Sequence, residues 1–134
     1  MSAANVQLVR ETYEAFNRDG SAGTIPFMHP DVVWDESDLV ARNPGIYRGH
    51  DGVLRLGREN SELWREIKAE VDELIDAGDD RVVAGVRVQG KGKFTDESVE
   101  LAITQVWQIR DGKAWRVKLY LDRQEALEAA GLEA

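Results

Sequence analysis

The sequence contains no cysteine, which excludes disulfide bonds, thiol nucleophiles and thiolate metal ligands from this chain. Apolar runs are short, and no segment approaches the roughly 20 residues that a transmembrane helix needs. The first ten residues lack a basic start and an apolar stretch, so we expect no signal peptide. These features are typical of proteins of the reducing cytoplasm, and we predict a cytoplasmic location away from membranes.

Basic residues are also scarce, with 17 lysines and arginines against 25 acidic residues and a net charge of −8. An acidic surface repels phosphate backbones, so we expect no nucleic-acid partner; the charge is sufficiently explained by solubility. The two histidines, His29 and His50, lie far apart and lack metal-site spacing, and no glycine-rich cofactor fingerprint is present. The sequence therefore predicts neither a metal site nor a cofactor.

Helical periodicity dominates the first half of the chain and period-two alternation dominates the second half. With 134 residues, this segregated order predicts a single α+β domain spanning residues 1–134. A turn is expected at His29, Pro30 and Asp31, and a tight hairpin at Asp111 and Gly112. The predicted elements are helices at 5–19, 21–27, 50–67 and 123–130, and strands at 32–35, 69–76, 81–89, 98–110 and 113–122.

Alternation divides each of the last two strands into an apolar and a mixed face. We assign the apolar faces to the helical layer; they carry Leu101, Ile103, Gln105, Trp107 and Ile109, then Trp115, Val117, Leu119 and Leu121. The opposite face, with Val106 and Tyr120 among polar residues, either contacts water or pairs with a second copy. Of these alternatives we favour a homodimer through the outer face of the sheet.

Polar residues on the predicted inner face are candidates for ligand contacts. Asn60 and Gln105 would each need a hydrogen-bond partner, a water or a ligand once buried. Asp35 is a candidate general base if it points inward, since desolvation would raise its pKa; alternatively it bonds the loop backbone near Ser37. His29 is a candidate proton relay or simply an exposed loop histidine, whereas His50 is expected to face solvent.

Five ordered segments of the chain resemble the SnoaL-like branch of the nuclear transport factor 2-like superfamily. They are residues 9–17 (VRETYEAFN), 27–35 (FMHPDVVWD), 47–53 (YRGHDGV), 109–113 (IRDGK) and 122–127 (DRQEAL). The resemblance implies a cone-shaped α+β barrel, in which a curved, mixed but mostly antiparallel sheet wraps around N-terminal helices and encloses a pocket. It also implies a homodimer and cofactor-free chemistry, as in isomerases, cyclases and dehydratases, although other members only bind ligands or act as scaffolds.

The resemblance also transfers functional positions one at a time. Asp35 matches the general base of ketosteroid isomerase, and Gln105 matches its second acid, while its tyrosine donor falls nearer Thr12 than Tyr13. The arginine and two aspartates of limonene epoxide hydrolase fall on apolar residues instead, which speaks against epoxide hydrolysis. Those residues are Val86, Val88 and Leu119.

The sequence thus predicts a cofactor-independent acid–base enzyme acting on a small apolar compound that carries a carbonyl. Asp35, His29 and Gln105 are its predicted catalytic residues. The predicted ligand-binding residues are Tyr13, Phe16, Trp34, Leu56, Asn60, Trp64, Val86, Val88, Trp107, Leu119 and Leu121. The alternative is a non-catalytic module that uses the same pocket for ligand binding or dimerisation, since aromatic residues at these spacings also form ordinary cores.

Overall fold

The architecture consists of helices packed on one six-stranded sheet, seen in a computed structural model that describes residues 3–39 and 45–132. The helices are α1 (Ala3–Asp19), a 3-10 helix (Ser21–Phe27), α2 (Gly49–Leu63) and α3 (Arg123–Ala129). The strands are β1 (Met28–Asp35), β2 (Ile46–Arg48), β3 (Trp64–Gly78), β4 (Arg81–Gly92), β5 (Ser98–Arg110) and β6 (Lys113–Tyr120). The predicted α+β class is therefore confirmed.

The sheet has the strand order β2-β1-β6-β5-β4-β3. Only the pairing of β1 with β6 is parallel among the described strands, and every other neighbouring pair is antiparallel. The sheet is curved but not closed, because β2 and β3 form its two edges. The structure is thus an open cone rather than a complete barrel.

Helix α1 packs on the concave face of the sheet through the apolar stripe that its periodicity predicts. Val9 and Tyr13 are buried there, and Val6 and Phe16 pack against the same core. The helix ends where Gly20 adopts a positive φ of 73° and its N–H donates to Phe16 O at 2.8 Å. Glycine allows this left-handed conformation without a Cβ clash, so the chain can turn back toward the sheet.

The predicted boundaries of β1 and α2 are wrong. Residues 29–31 belong to strand β1 rather than to a turn, so this strand begins at Met28. The predicted helix at 50–67 ends at Leu63, because Trp64 and Ile67 belong to β3 and pair with Gly92 and Gly90. The apolar spacing fits a helix through Ile67, but pairing along β4 satisfies the backbone hydrogen bonds of the whole segment instead.

A β-bulge changes which side chains of β6 face the helices. Gln108 pairs with Arg116 and Ile109 pairs with Ala114, which leaves Trp115 between the two pairs. The prediction that Trp115 faces the helices is therefore wrong: the buried residue is Ala114, and Trp115 lies against the guanidinium of Arg116 at 4.0 Å. Strand β6 also ends at Tyr120, two residues earlier than predicted.

Helix α3 covers part of the outer face of the sheet. Its residues Ala126 and Leu127 bury Val83 and Val106 in a second, smaller core. The Asp122 side chain caps this helix by accepting from the Gln124 N–H at 2.8 Å. Val106 is therefore not available to a second copy, and the predicted homodimer would have to use other parts of this face.

None of the described helices is long and apolar enough to cross a membrane.

Candidate functional site

A cavity of about 370 Å³ lies between helices α1 and α2 and the concave face of the sheet. Its volume is within the range of small-molecule sites, roughly 300–1,000 Å³. Nine predicted ligand-binding residues line it, namely Tyr13, Phe16, Trp34, Leu56, Asn60, Trp64, Val86, Val88 and Leu119. The lining is predominantly apolar, so it suits an apolar organic ligand that needs few polar contacts.

Tyr13 forms the centre of a buried hydrogen-bond chain at the wall of this cavity. Its hydroxyl donates to Gln105 Oε1 and accepts from Trp107 Nε1 at 3.3 Å. The Trp107 indole also meets the rings of Tyr13 and Trp34 edge to face, with centroids 5.5 and 5.4 Å apart. Burial raises the pKa of Tyr13 far above its ordinary range, and the nearby negative charge of Glu36 adds to this shift. Tyr13 is therefore a neutral hydrogen-bonding group rather than a base.

Gln105 presents the opposite end of its amide to the cavity. Its side chain is buried and lines the cavity, and Oε1 is taken by Tyr13. Among the described residues, no group accepts a hydrogen bond from Gln105 Nε2. An amide N–H that points at an apolar cavity can donate to a carbonyl oxygen of a ligand. The predicted hydrogen-bond role of Gln105 is thus compatible with its position.

Glu36 is a lining residue that sequence reasoning missed. Its Oε2 accepts from the indole Nε1 of Trp34 at 2.9 Å, and its N–H donates to Gly45 O at 2.7 Å. Both contacts hold it beside the end of β1. The missed signal was the alternation of Val32, Trp34 and Glu36, which places these three residues on the same side of the strand.

Asp35 does not point into the cavity, and the prediction of an inward carboxyl group is wrong. Trp34 pairs with Val117, which faces the core, so its neighbour Asp35 lies on the opposite face of the sheet. There its Oδ1 accepts from the Ser37 N–H at 2.9 Å and from the Ser37 hydroxyl at 2.6 Å. Lys118 Nζ lies 3.9 Å from Asp35 Oδ2. The alternative interpretation, a carboxylate that caps the loop near Ser37, describes the structure.

His29 also lies outside the cavity lining. Its Nδ1 accepts from the Asp31 N–H at 3.0 Å, and its Nε2 lies 3.7 Å from Asp111 Oδ2 in the β5–β6 turn. The ring is therefore held at the end of the sheet where β5 turns into β6, and a proton relay through it would not reach a ligand. His50 is not a free solvent-facing residue, since its Nε2 lies 3.0 Å from Met28 O.

Two other predicted ligand-binding residues do not line the cavity. Trp107 is fully buried behind Tyr13 and belongs to the core. Leu121 follows the end of β6 and is 48% exposed. Its alternation with Leu119 predicted an inward side chain, but the strand ends before that position is paired.

The acidic and histidine side chains of the described residues do not gather into a metal-binding set. No group of three or more such side chains lies close enough to hold an ion within residues 3–39 and 45–132. The polar side chains that line the otherwise apolar cavity are those of Thr12, Ser21, Thr24, Glu36, Asn60 and Gln105.

Comparison with known proteins gives a family and a fold. The model of the SnoaL-like domain matches residues 9–117. A protein of unknown function from Burkholderia pseudomallei, described as NTF2-like, is 28% identical with a TM-score of 0.78, over 94% of this chain and 96% of that chain. No functionally curated protein matches the chain.

Two more distant structures share the fold. TerC, co-crystallised with polyporic acid, is 24% identical with a TM-score of 0.77, over 96% of this chain and 99% of that chain. A hypothetical protein from Catenulispora acidiphila with a ketosteroid isomerase-like fold, in complex with trimethylamine, is 12% identical with a TM-score of 0.75. That match covers 94% of this chain and 93% of the other. Together with the family match over residues 9–117, the open cone and its cavity establish that this chain belongs to the SnoaL-like domain family, with an NTF2-like fold.

Proposed function

We propose that this protein is a cofactor-independent acid–base enzyme that moves a proton beside the carbonyl group of a small apolar compound. The observation that carries the proposal is that the Glu36 carboxylate and the Gln105 amide line one apolar cavity. Glu36 takes the place that the sequence assigned to Asp35. The cavity itself supports an apolar ligand with one or two polar atoms.

The strand register supports a common level for Glu36 and Gln105 in the sheet. Asp35 pairs with Lys118 across the parallel strands β1 and β6, and extending this register by one residue sets Glu36 beside Leu119. Leu119 in turn pairs with Gln105 across β5 and β6. Since neighbouring strands lie ~4.8 Å apart, the Cα atoms of Glu36 and Gln105 are about 10 Å apart. A planar ligand lying over Leu119 would have the carboxylate at one edge and the amide at the other.

These two groups supply complementary parts of an enolisation. Glu36 removes a proton from the carbon next to the carbonyl, and the electron pair of the broken C–H bond forms the carbon–carbon double bond of an enolate. Gln105 Nε2 donates to the carbonyl oxygen as negative charge develops there. When Glu36 returns the proton to the same carbon, the cycle amounts to proton exchange; when it delivers the proton to another carbon of a conjugated enolate, the cycle amounts to an isomerisation, and neither needs an oxidant or reductant. The bond from Trp34 Nε1 to Glu36 Oε2 contributes to the orientation of the carboxylate.

Non-catalytic binding of the same class of compound is the second candidate. It is favoured by the position of Asp35, which bonds Ser37 and lies outside the cavity. The structure of TerC with polyporic acid supports either candidate, because a protein of this fold was crystallised with a small organic compound. The two candidates differ in whether Glu36 exchanges protons with a bound carbonyl compound.

Proton exchange on 1-tetralone, an apolar bicyclic ketone, distinguishes an enzyme from a non-catalytic binding protein. Its protons next to the carbonyl are followed by NMR in D2O with and without protein. Its binding is followed by the change in tryptophan fluorescence, since Trp34 and Trp64 line the cavity. We expect exchange to be accelerated by the wild-type protein and slowed about 100-fold by E36Q, the usual contribution of a general base. The matched control D35N alters the neighbouring carboxylate outside the cavity and should keep at least half of the rate.

The outcomes separate the assignments clearly. Binding of 1-tetralone without accelerated exchange would identify a binding protein rather than an enzyme. An equal loss of rate in D35N and E36Q would overturn the assignment of Glu36. An absence of binding would count against both candidates.

A further inference from the structure

Exposed apolar side chains collect at one end of the cavity. Leu63, Val99 and Leu101 line the cavity although they are 58%, 45% and 39% exposed. Phe94, which is 86% exposed, follows β4 in a loop whose Lys93 N–H donates to Leu63 O at 3.1 Å. We call these four residues, Leu63, Phe94, Val99 and Leu101, the mouth rim. Apolar side chains exposed together are a typical feature of ligand-binding grooves.

The inner face of β5 connects this rim with the polar part of the cavity. Gln105 and Ile103 are buried, whereas Leu101 and Val99, two and four residues before Ile103, become progressively more exposed. All four residues line the cavity. At 3.3–3.4 Å per residue, the path from Gln105 to Val99 is about 20 Å long. The site is therefore elongated, with its amide donor at the buried end and only apolar β5 side chains toward the mouth.

Trp64 extends the apolar wall along the same path. A Cβ atom on Gly90 would lie 2.9 Å from Cε3 of the Trp64 indole, so the indole rests directly on the backbone of β4 at this glycine. Gly90 pairs with Val99 of β5 on one side and with Ile67 of β3 on the other. On the side formed by β3, β4 and β5, the wall between the buried part of the cavity and the rim is thus continuous and apolar.

We infer that the ligand is an elongated carbonyl compound whose polar head lies at Gln105 and whose apolar tail extends along β5 to the mouth rim. The inference deepens the proposed function and rests on the cavity being the ligand site. The reverse orientation would place the carbonyl among Val99, Leu101 and Leu63, whose side chains donate no hydrogen bond. It would also leave the Gln105 amide facing the apolar tail without a partner. A tail that leaves through the mouth would cover the exposed rim.

A series of phenyl ketones of increasing alkyl length tests the orientation. Dissociation constants of acetophenone, butyrophenone and hexanophenone are measured by titration calorimetry with the wild-type protein. Each added methylene should tighten binding about two- to fourfold, as expected for a methylene that becomes partly or fully buried. L101Q should leave the dissociation constant of acetophenone within twofold and weaken hexanophenone about tenfold or more.

L121Q is the matched control, because Leu121 is exposed to a similar extent as Leu101 but lies outside the cavity. It should change neither dissociation constant, and retained acetophenone binding by L101Q shows that this variant is folded. Affinity independent of chain length, or an equal effect of L101Q on short and long ketones, would overturn the inferred orientation. Failure of proton exchange on 1-tetralone with the chain-length effect intact would remove only the enzymatic proposal.

Discussion

The substitution Tyr13→Phe removes one oxygen atom from the buried chain of hydrogen bonds that joins α1 to β5. In the wild-type protein this hydroxyl accepts from Trp107 Nε1 at 3.3 Å and donates to Gln105 Oε1. Phenylalanine keeps the ring and its edge-to-face contact with Trp107, whose centroid lies 5.5 Å away. The variant therefore isolates the hydrogen bonds from the packing.

The expected loss of stability depends on whether the two groups that lose their hydrogen bond to Tyr13 can bond to water instead. Trp107 is 0% exposed, so its N–H cannot bond to water and its desolvation costs about 1–3 kcal/mol. Gln105 lines the cavity, so its oxygen can turn toward water there, and only the net value of one hydrogen bond, about 0.5–1.5 kcal/mol, is lost. The sum is about 1.5–4.5 kcal/mol, a large share of the ~5–15 kcal/mol by which a domain is usually stable.

Urea denaturation followed by far-UV circular dichroism measures this loss for Y13F. The matched control is Y120F, because Tyr120 lies on the outer face and its hydroxyl makes no hydrogen bond to any residue that the structure describes. Y120F should change the free energy of unfolding by less than about 0.5 kcal/mol. In a double-mutant cycle, Y13F and Q105L should be coupled by about 1 kcal/mol, because they share one hydrogen bond.

A Y13F protein as stable as Y120F would refute this reasoning, because it would mean that the hydroxyl makes no net contribution in the folded state. Full additivity of Y13F and Q105L would refute the shared bond specifically. Either result would also weaken the orientation of the Gln105 amide toward the cavity, since that orientation depends on Tyr13 holding Oε1.

Two further predictions concern pH and the outer face. Burial raises the pKa of Tyr13, so the folded protein keeps this phenol neutral at a pH at which the unfolded chain ionises it, near pH ~10. The stability that Tyr13 contributes is therefore complete below that pH and declines as pH rises above it. Urea denaturation between pH 9 and pH 11, values chosen about the ordinary tyrosine pKa of ~10, should show a steeper decline for wild type than for Y13F, and parallel declines would contradict the buried phenol. Leu127→Ala should lower the free energy of unfolding by about 2–4 kcal/mol, because Leu127 is buried against Val83 and Val106. The control Leu121→Ala, at an exposed position, should lower it by less than about 0.5 kcal/mol. Equal melting temperatures of the two variants would show that α3 is not packed on the sheet.

Much of the fold follows from local patterns in the sequence. The stripe of Val9, Tyr13 and Phe16 predicts the buried face of α1, and the Asp111-Gly112 pair predicts the turn between β5 and β6, where both residues have positive φ. Alternation along β5 assigns Ile103, Gln105 and Trp107 to the inner face, and all three are buried there. These predictions succeed because each depends on residues that are close together in the chain.

The misassigned residues have non-local causes. The helical spacing that includes Trp64 and Ile67 is overridden by pairing with β4, and the bulge opposite Gln108 removes Trp115 from the inner face. The sequence leaves the side of Asp35 open, because it does not show which strand pairs with β1. The pairing of Trp34 with Val117 shows that Asp35 lies on the outer face, so the carboxylate that lines the cavity is that of Glu36.

The amino-acid sequence by itself determined the absence of thiol chemistry, the acidic charge, the α+β class and the apolar faces of α1 and β5. The tertiary structure alone decided which carboxylate reaches the cavity, which end of the cavity is apolar and where β6 bulges. Alternation divides a strand into two faces without saying which one is buried. Which face is buried is determined by the hydrogen bonds to neighbouring strands, and these are made by residues distant in the chain.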